Sequence, residues 1–229
     1  MEAAGEFPSH HLLLKAIHEH LVPRTYVEIG VADGASLAMA PPQTLTVGID
    51  PVLEQRPLQQ ARGAKLFAMT SDRFFAEHDL AAVLDGAPLD LAFIDGMHHF
   101  EFALRDFMNL ERFCESGSVI LLHDCYPGDA AIASRIPRRG WWAGDVWKLV
   151  VLLKEYRPDL GISVVDVPPT GLGVLTGMNP GSTVLADHYA EITARFVDLD
   201  YSAVADDKEE QLNRVPNDWT LVQSLLASR

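Results

Sequence analysis

The chain has 229 residues, 48% of them hydrophobic, enough to bury the core of one large domain. Acidic residues outnumber basic ones 32 to 18, and the formal net charge of -14 argues against a nucleic acid or an anionic membrane as partner. Cys114 and Cys125 have neither the number nor the spacing of a disulfide framework or zinc knuckle, so both read as buried thiols. No run of eighteen apolar residues occurs and the N-terminus has no basic leader, so a soluble, cytoplasmic protein acting on a small molecule is expected, with a homo-oligomer left open.

Leu12, Leu13, Ala16, Ile17 and Leu21 recur at helical spacing behind Ser9, an expected N-cap, and Pro23 ends the segment. Five short runs follow, rich in β-branched and apolar residues: "TYVEIGV", "TLTVGID", "AKLFAMT", "LDLAFID" and "GSVILLHD". Helical periodicity in "SDRFFAEHDLAAVL" and "FEFALRDFMNLERFC" separates them, which predicts a doubly wound α/β sheet buried on both faces. After residue 125, "CYPGDAAIASRIPRRGWWAG" has no period and reads as a long functional loop. Arg135, Arg138 and Arg139 in that loop would either meet an acidic substrate or be solvated, and Trp141 and Trp142 would cover a ring or sugar face.

Asp145 is expected to cap a helix, "VWKLVVLLKEYRP", that Pro158 closes. "GISVVDVPP" and "GLGVLTG" predict an antiparallel hairpin at the end of the sheet. The tail is helical in period and acidic. The expected organisation is one domain over 1–229, with a leading helix at 9–22, a core at 23–185 and a helical extension at 186–229.

Chemistry concentrates where strands end. In "YVEIGVADGASL", Gly30 and Gly34 fall in the turn before the next helix, where a ligand can approach the backbone closely. Glu28 lies inside the first strand and needs a donor, such as an amide, a side chain or a cationic cofactor. Asp50 follows twenty residues after Gly30 and can accept from ribose hydroxyls. Ser71 and Asp72, after the third strand, either reach an adenine edge or cap the next helix. The fourth strand ends in "FIDGMHHF" and the fifth in "LLHD"; as neighbours about 4.8 Å apart they would bring Asp95 to face His123 and Asp124, a divalent-metal half-site or a pair of strand termini.

Together "VEIGVADGASL", "GIDP", "LDLAFIDGMHHFEFALRD", "GSVILLHD", "GDVWK" and "PPTGLGVLTGMNP" resemble the class I S-adenosylmethionine-dependent methyltransferases over residues 20 to 185, most closely the small-molecule O-methyltransferases of the sugar, macrolide and catechol type. The resemblance implies a Rossmann-like, seven-stranded sheet, mostly parallel with an antiparallel last strand and helices on both faces. It implies S-adenosylmethionine held by Glu28, Gly30, Asp33, Gly34, Ser36, Asp50, Ser71, Asp72 and Asp95. It also implies a Mg2+ or other divalent cation on Asp95, His123 and Asp124, with His123 where the metal-dependent relatives carry an acid. His98 stands where those relatives place a lysine base, and Asp95 beside it completes the catalytic pair. Imidazole titrates near working pH and suits removal of a hydroxyl proton. Two other readings stand beside this one: an NAD-dependent oxidoreductase, which lacks support because G-x-G-x-x-G is absent, and a non-catalytic module that binds S-adenosylmethionine.

Overall fold

The computed structural model describes residues 6–53, 63–140 and 142–227. Helix α1 (His10–Leu21) starts where Ser9 accepts a hydrogen bond from the Leu12 amide, as its N-cap position predicts. Strand β1 (Thr25–Ile29) follows, then a single 3₁₀ turn (Leu37–Met39) where a full helix was expected. Next come β2 (Leu45–Ile49), β3 (Lys65–Phe67), α2 (Ser71–Glu77), α3 (Leu80–Val83), β4 (Leu89–Ile94), α4 (Phe100–Glu111) and β5 (Cys114–His123). Helix α5 (Trp147–Tyr156) and the hairpin β6 (Gly161–Val165) and β7 (Leu172–Thr176) complete the expected elements.

The strands form one sheet in the order β3-β2-β1-β4-β5-β7-β6, to which a short β8 (Arg214–Val215) adds an eighth edge strand. Only β7 runs antiparallel to its neighbours. The strand count therefore departs from the expected seven. Two residues carry no periodicity, and β8 sits in a polar stretch whose surroundings are helical: α6 (Val184–Asp187), α7 (Tyr189–Phe196), α8 (Ser202–Ala205), α9 (Lys208–Gln211) and α10 (Trp219–Ala227).

Strand residues alternate between two cores. Val27, Ile29, Ala92, Ile94, Ile120 and Leu122 face α2 to α5 and α7, whereas Tyr26, Leu91, Phe93, Val119 and Leu121 face α1 and α10. Both faces are covered, which is why the strands read as near-continuous apolar runs. Cys114 and Cys125 are buried free thiols. Among the described residues no helix is long and apolar enough to cross a membrane.

Asp145 is not the cap of α5. Its carboxylate accepts from the Phe100 amide at 2.8 Å, so it closes the first turn of α4 instead, and it also holds Arg135 (2.6 Å) and Lys148 (2.9 Å). A long-range cap of this kind leaves no trace in local sequence spacing.

Candidate active site

A cleft of about 470 Å³ opens at the carboxyl ends of β1, β2 and β4, the position at which open α/β sheets bind ligands. Gly30 lines it with φ +92, where an added Cβ would lie 2.0 Å from the Asp95 carbonyl oxygen. Only glycine allows the end of β1 to meet the end of β4 this closely. Asp50 borders the same cleft and accepts the amides of Ala32 (2.9 Å) and Val52 (2.7 Å), which fixes both carboxylate oxygens.

Of the residues assigned to the cofactor, Gly30, Asp50, Ser71, Asp72 and Asp95 line the cleft, and so does His98. Glu28, Asp33, Gly34 and Ser36 are not among its lining residues. Glu28 points to the opposite face of β1, where Tyr26 and Ser36 each donate to it at 2.6 Å. Burial pushes its pKa up to about 8 despite those two bonds. Asp33 accepts the Ala35 amide and Gly34 takes φ +79 in the turn. Thr70, not Ser71 or Asp72, caps α2. Both oxygens of Asp72 are taken by Arg105, through Nε and Nη2 at 2.8 Å each.

At the reaction end the two strand termini converge as their sheet neighbourhood requires. His123 Nδ1 lies 2.9 Å from Asp95 Oδ1, and His98 Nδ1 lies 3.0 Å from Asp124 Oδ2. Asp95 reaches His98 as well, with Oδ1 3.9 Å from Nε2. Thr170 donates a short hydrogen bond to Asp124 Oδ1. His10, from α1, stacks on His123 with centroids 3.9 Å apart.

The charges follow from this geometry. Burial opposes a charged His98 ring, but the Asp124 carboxylate 3.0 Å away, with Asp95 behind it, wins and raises the pKa to about 9. Burial likewise opposes His123, and the charge of Asp95 raises it nonetheless. Asp124 is pushed up by burial but held below the usual carboxylate range by the two histidines. His10 is lowered to about 3 by burial and by its neighbour His123.

His98 is also oriented from outside. Its Nδ1 donates to the Trp142 carbonyl at 3.1 Å, Trp142 stacks on the ring at 5.2 Å, and the Asp145 amide donates to the His98 carbonyl at 3.2 Å. Because the His98 N–H is directed at Trp142, the buried Asp124 Oδ2 has a charged neighbour but no aligned donor. His99 points elsewhere, with Nε2 3.0 Å from the Arg135 carbonyl. Arg135 spends its guanidinium on Glu101 and Asp145, so it faces the protein, while Arg138 and Arg139 are exposed. Trp141 lies outside the described residues.

Three contributors escaped the sequence reading. Thr170 and the cap by Asp145 depend on tertiary contacts and left no local signal. Asp106 did leave one: it is an acid within the apolar stripe of α4, in register with Ala103, Phe107 and Leu110.

A glycine turn after β1, an acid after β2, a cleft above the parallel strands and one antiparallel strand beside β5 define the fold of a class I S-adenosylmethionine-dependent methyltransferase. Residues 27–125 match the family model described as a methyltransferase domain. Among solved structures, the cofactor-bound Rv0187 from MTB is 17% identical with a TM-score of 0.58, over 74% of this chain and 80% of that one. The O-methyltransferase TomG from Streptomyces achromogenes, involved in tomaymycin synthesis and in complex with SAM, is also 17% identical with a TM-score of 0.56, over 74% and 80%. An O-methyltransferase from Bacillus cereus in complex with SAH is 13% identical, with a TM-score of 0.52 over 76% and 83%. A search of curated proteins finds no significant match.

Proposed function

We propose that this protein transfers the methyl group of S-adenosylmethionine to a hydroxyl of a small metabolite. The observation that carries the reading is a cleft lined by Gly30, Asp50, Asp95 and His98, with Asp124 3.0 Å from the His98 ring. The O-methyltransferases of similar fold support the hydroxyl as acceptor.

In such a reaction the methyl carbon leaves the sulfonium sulfur, which keeps the C–S electron pair, while the acceptor oxygen forms the new bond and loses its proton. Each oxygen of Asp50 accepts one backbone amide and retains a lone pair for a ribose hydroxyl. Gly30 lets the methionine portion lie against the backbone. His98 is the cleft-facing imidazole, positioned by Trp142 and Asp145 to receive the acceptor's proton at Nε2. Facing two acids, that ring holds a proton near neutrality, so it acts as base once their charge is offset.

The donors fit a divalent cation. The expected trio of Asp95, His123 and Asp124 is not one of the clusters: the ligand atoms of Asp95, His98 and Asp124 lie within 4.8 Å of one another, those of His10, Asp95 and His123 do so too, and Asp124 Oδ2 is buried without an aligned donor. A cation on Asp95 and Asp124 would supply the charge offset and acidify a bound hydroxyl.

Calorimetric titration tests the reading. S-adenosylmethionine is expected to bind and NADH not; absence of S-adenosylmethionine binding overturns it. Turnover that survives EDTA unchanged removes the cation from the proposal, and turnover restored by Mg2+ after EDTA supports it.

A further inference from the structure

Asp106 is 2% exposed, sits on the apolar face of α4 and borders the cleft. The Ser71 hydroxyl hydrogen-bonds its carboxyl, but Oδ1 is buried and has no hydrogen-bond partner. Burial lifts its pKa to about 7, more than the Ser71 bond and the Arg105 charge can counter. Native interiors seldom leave such an atom unpaired, and the residue that carries this one lines the cleft.

The position of the cleft's other groups says what would fill it. A ribose on Asp50, at the end of β2, extends its base toward the end of β3, one strand spacing of about 4.8 Å further along the sheet. There the lining includes Thr70, Ser71, Asp72, Met97, Phe102 and Asp106. Asp72, the acid the sequence suggested for the base edge, is closed off by the bidentate Arg105. Arg105 is in turn fixed by the Tyr189 hydroxyl at 3.1 Å and by its stacking over Phe102 at 4.4 Å.

We propose that Asp106 Oδ1 accepts a hydrogen bond from the exocyclic amino group of the donor's adenine ring, so that α4 rather than the turn after β3 determines purine identity. This rests on the cleft being the S-adenosylmethionine site. Arg105 then has a defined part: it neutralises Asp72 and leaves Asp106 as the open acid.

The test is calorimetry with S-adenosylhomocysteine and its analogue lacking the 6-amino group. The wild-type protein is expected to prefer the adenine form roughly tenfold, the size of one buried hydrogen bond. Asp106→Leu is expected to bind both forms within about twofold of each other. If its thermal melt shows a lost fold, Asp106→Ser, too short to reach the amino group, replaces it with the same expectation. Equal affinities in the wild-type protein, or an undiminished preference in the folded variant, overturn the proposal while leaving the methyl-donor reading intact. A wild-type protein that binds neither form overturns both.

Discussion

The two ends of the cleft treat polar groups in opposite ways. At the reaction end Asp95, His98, His123, Asp124 and Thr170 are engaged with one another, and the surrounding loop fixes the ring that faces the cleft. Around Asp106 the balance differs: its buried Oδ1 has no hydrogen-bond partner, whereas the orphaned oxygen of the cluster, Asp124 Oδ2, has the His98 ring nitrogen 3.0 Å away. The difference separates two kinds of preorganisation. A closed cluster holds position and charge before any ligand arrives, whereas an open acceptor contributes only once a ligand supplies the donor.

Loss of the cleft-facing imidazole should give the largest effect. His98→Ala is expected to slow methyl transfer to a responding hydroxyl acceptor by about 10² to 10⁴, with S-adenosylhomocysteine affinity held within about twofold. An unchanged rate would remove its role as base, and a parallel loss of cofactor affinity would erase the contrast between the two ends.

Asp145 tests how far the reaction end depends on its scaffold. It is 1% exposed, and its removal leaves the buried Lys148 ammonium with the Val197 carbonyl and opens the first turn of α4. Breaking a buried pair costs about 3–5 kcal/mol, so Asp145→Ala should lower Tm by roughly 10 °C. A Tm within a degree or two of wild type would show that the network bears no such load.

The third effect depends on pH and belongs to Glu28, on the far side of β1. Its folded pKa of about 8 stands above the ordinary 4.5, so the folded state keeps a proton that the unfolded chain releases. Its contribution is complete below about 4.5 and is lost as pH rises toward 8. Glu28→Gln should therefore flatten the fall in Tm that the wild-type protein shows as pH rises from 5 to 8. Identical slopes for the two proteins would contradict this account.

The parallel core was legible because strands covered on both faces are apolar throughout and end in polar residues where the sheet meets the cleft. The same rule placed Asp95, His123 and Asp124 together, since β4 and β5 are neighbours in the sheet. Glu28 was visible as a buried acid, but its donors were not: Tyr26 shares its face two residues away and Ser36 arrives through the turn. Arg135 resembled a substrate contact until Glu101 and Asp145, 34 and 10 residues distant, took its hydrogen bonds. Ion pairs of that kind depend on the folded arrangement of three segments, which periodicity does not encode. Strand β8 was missed because two residues are too few to show any period.

The loop that carries Trp142 and Asp145 grips His98 by its ring and by its backbone at once. The ring's direction and the placement of its backbone therefore share one support, and a change in that loop reaches the imidazole by both routes.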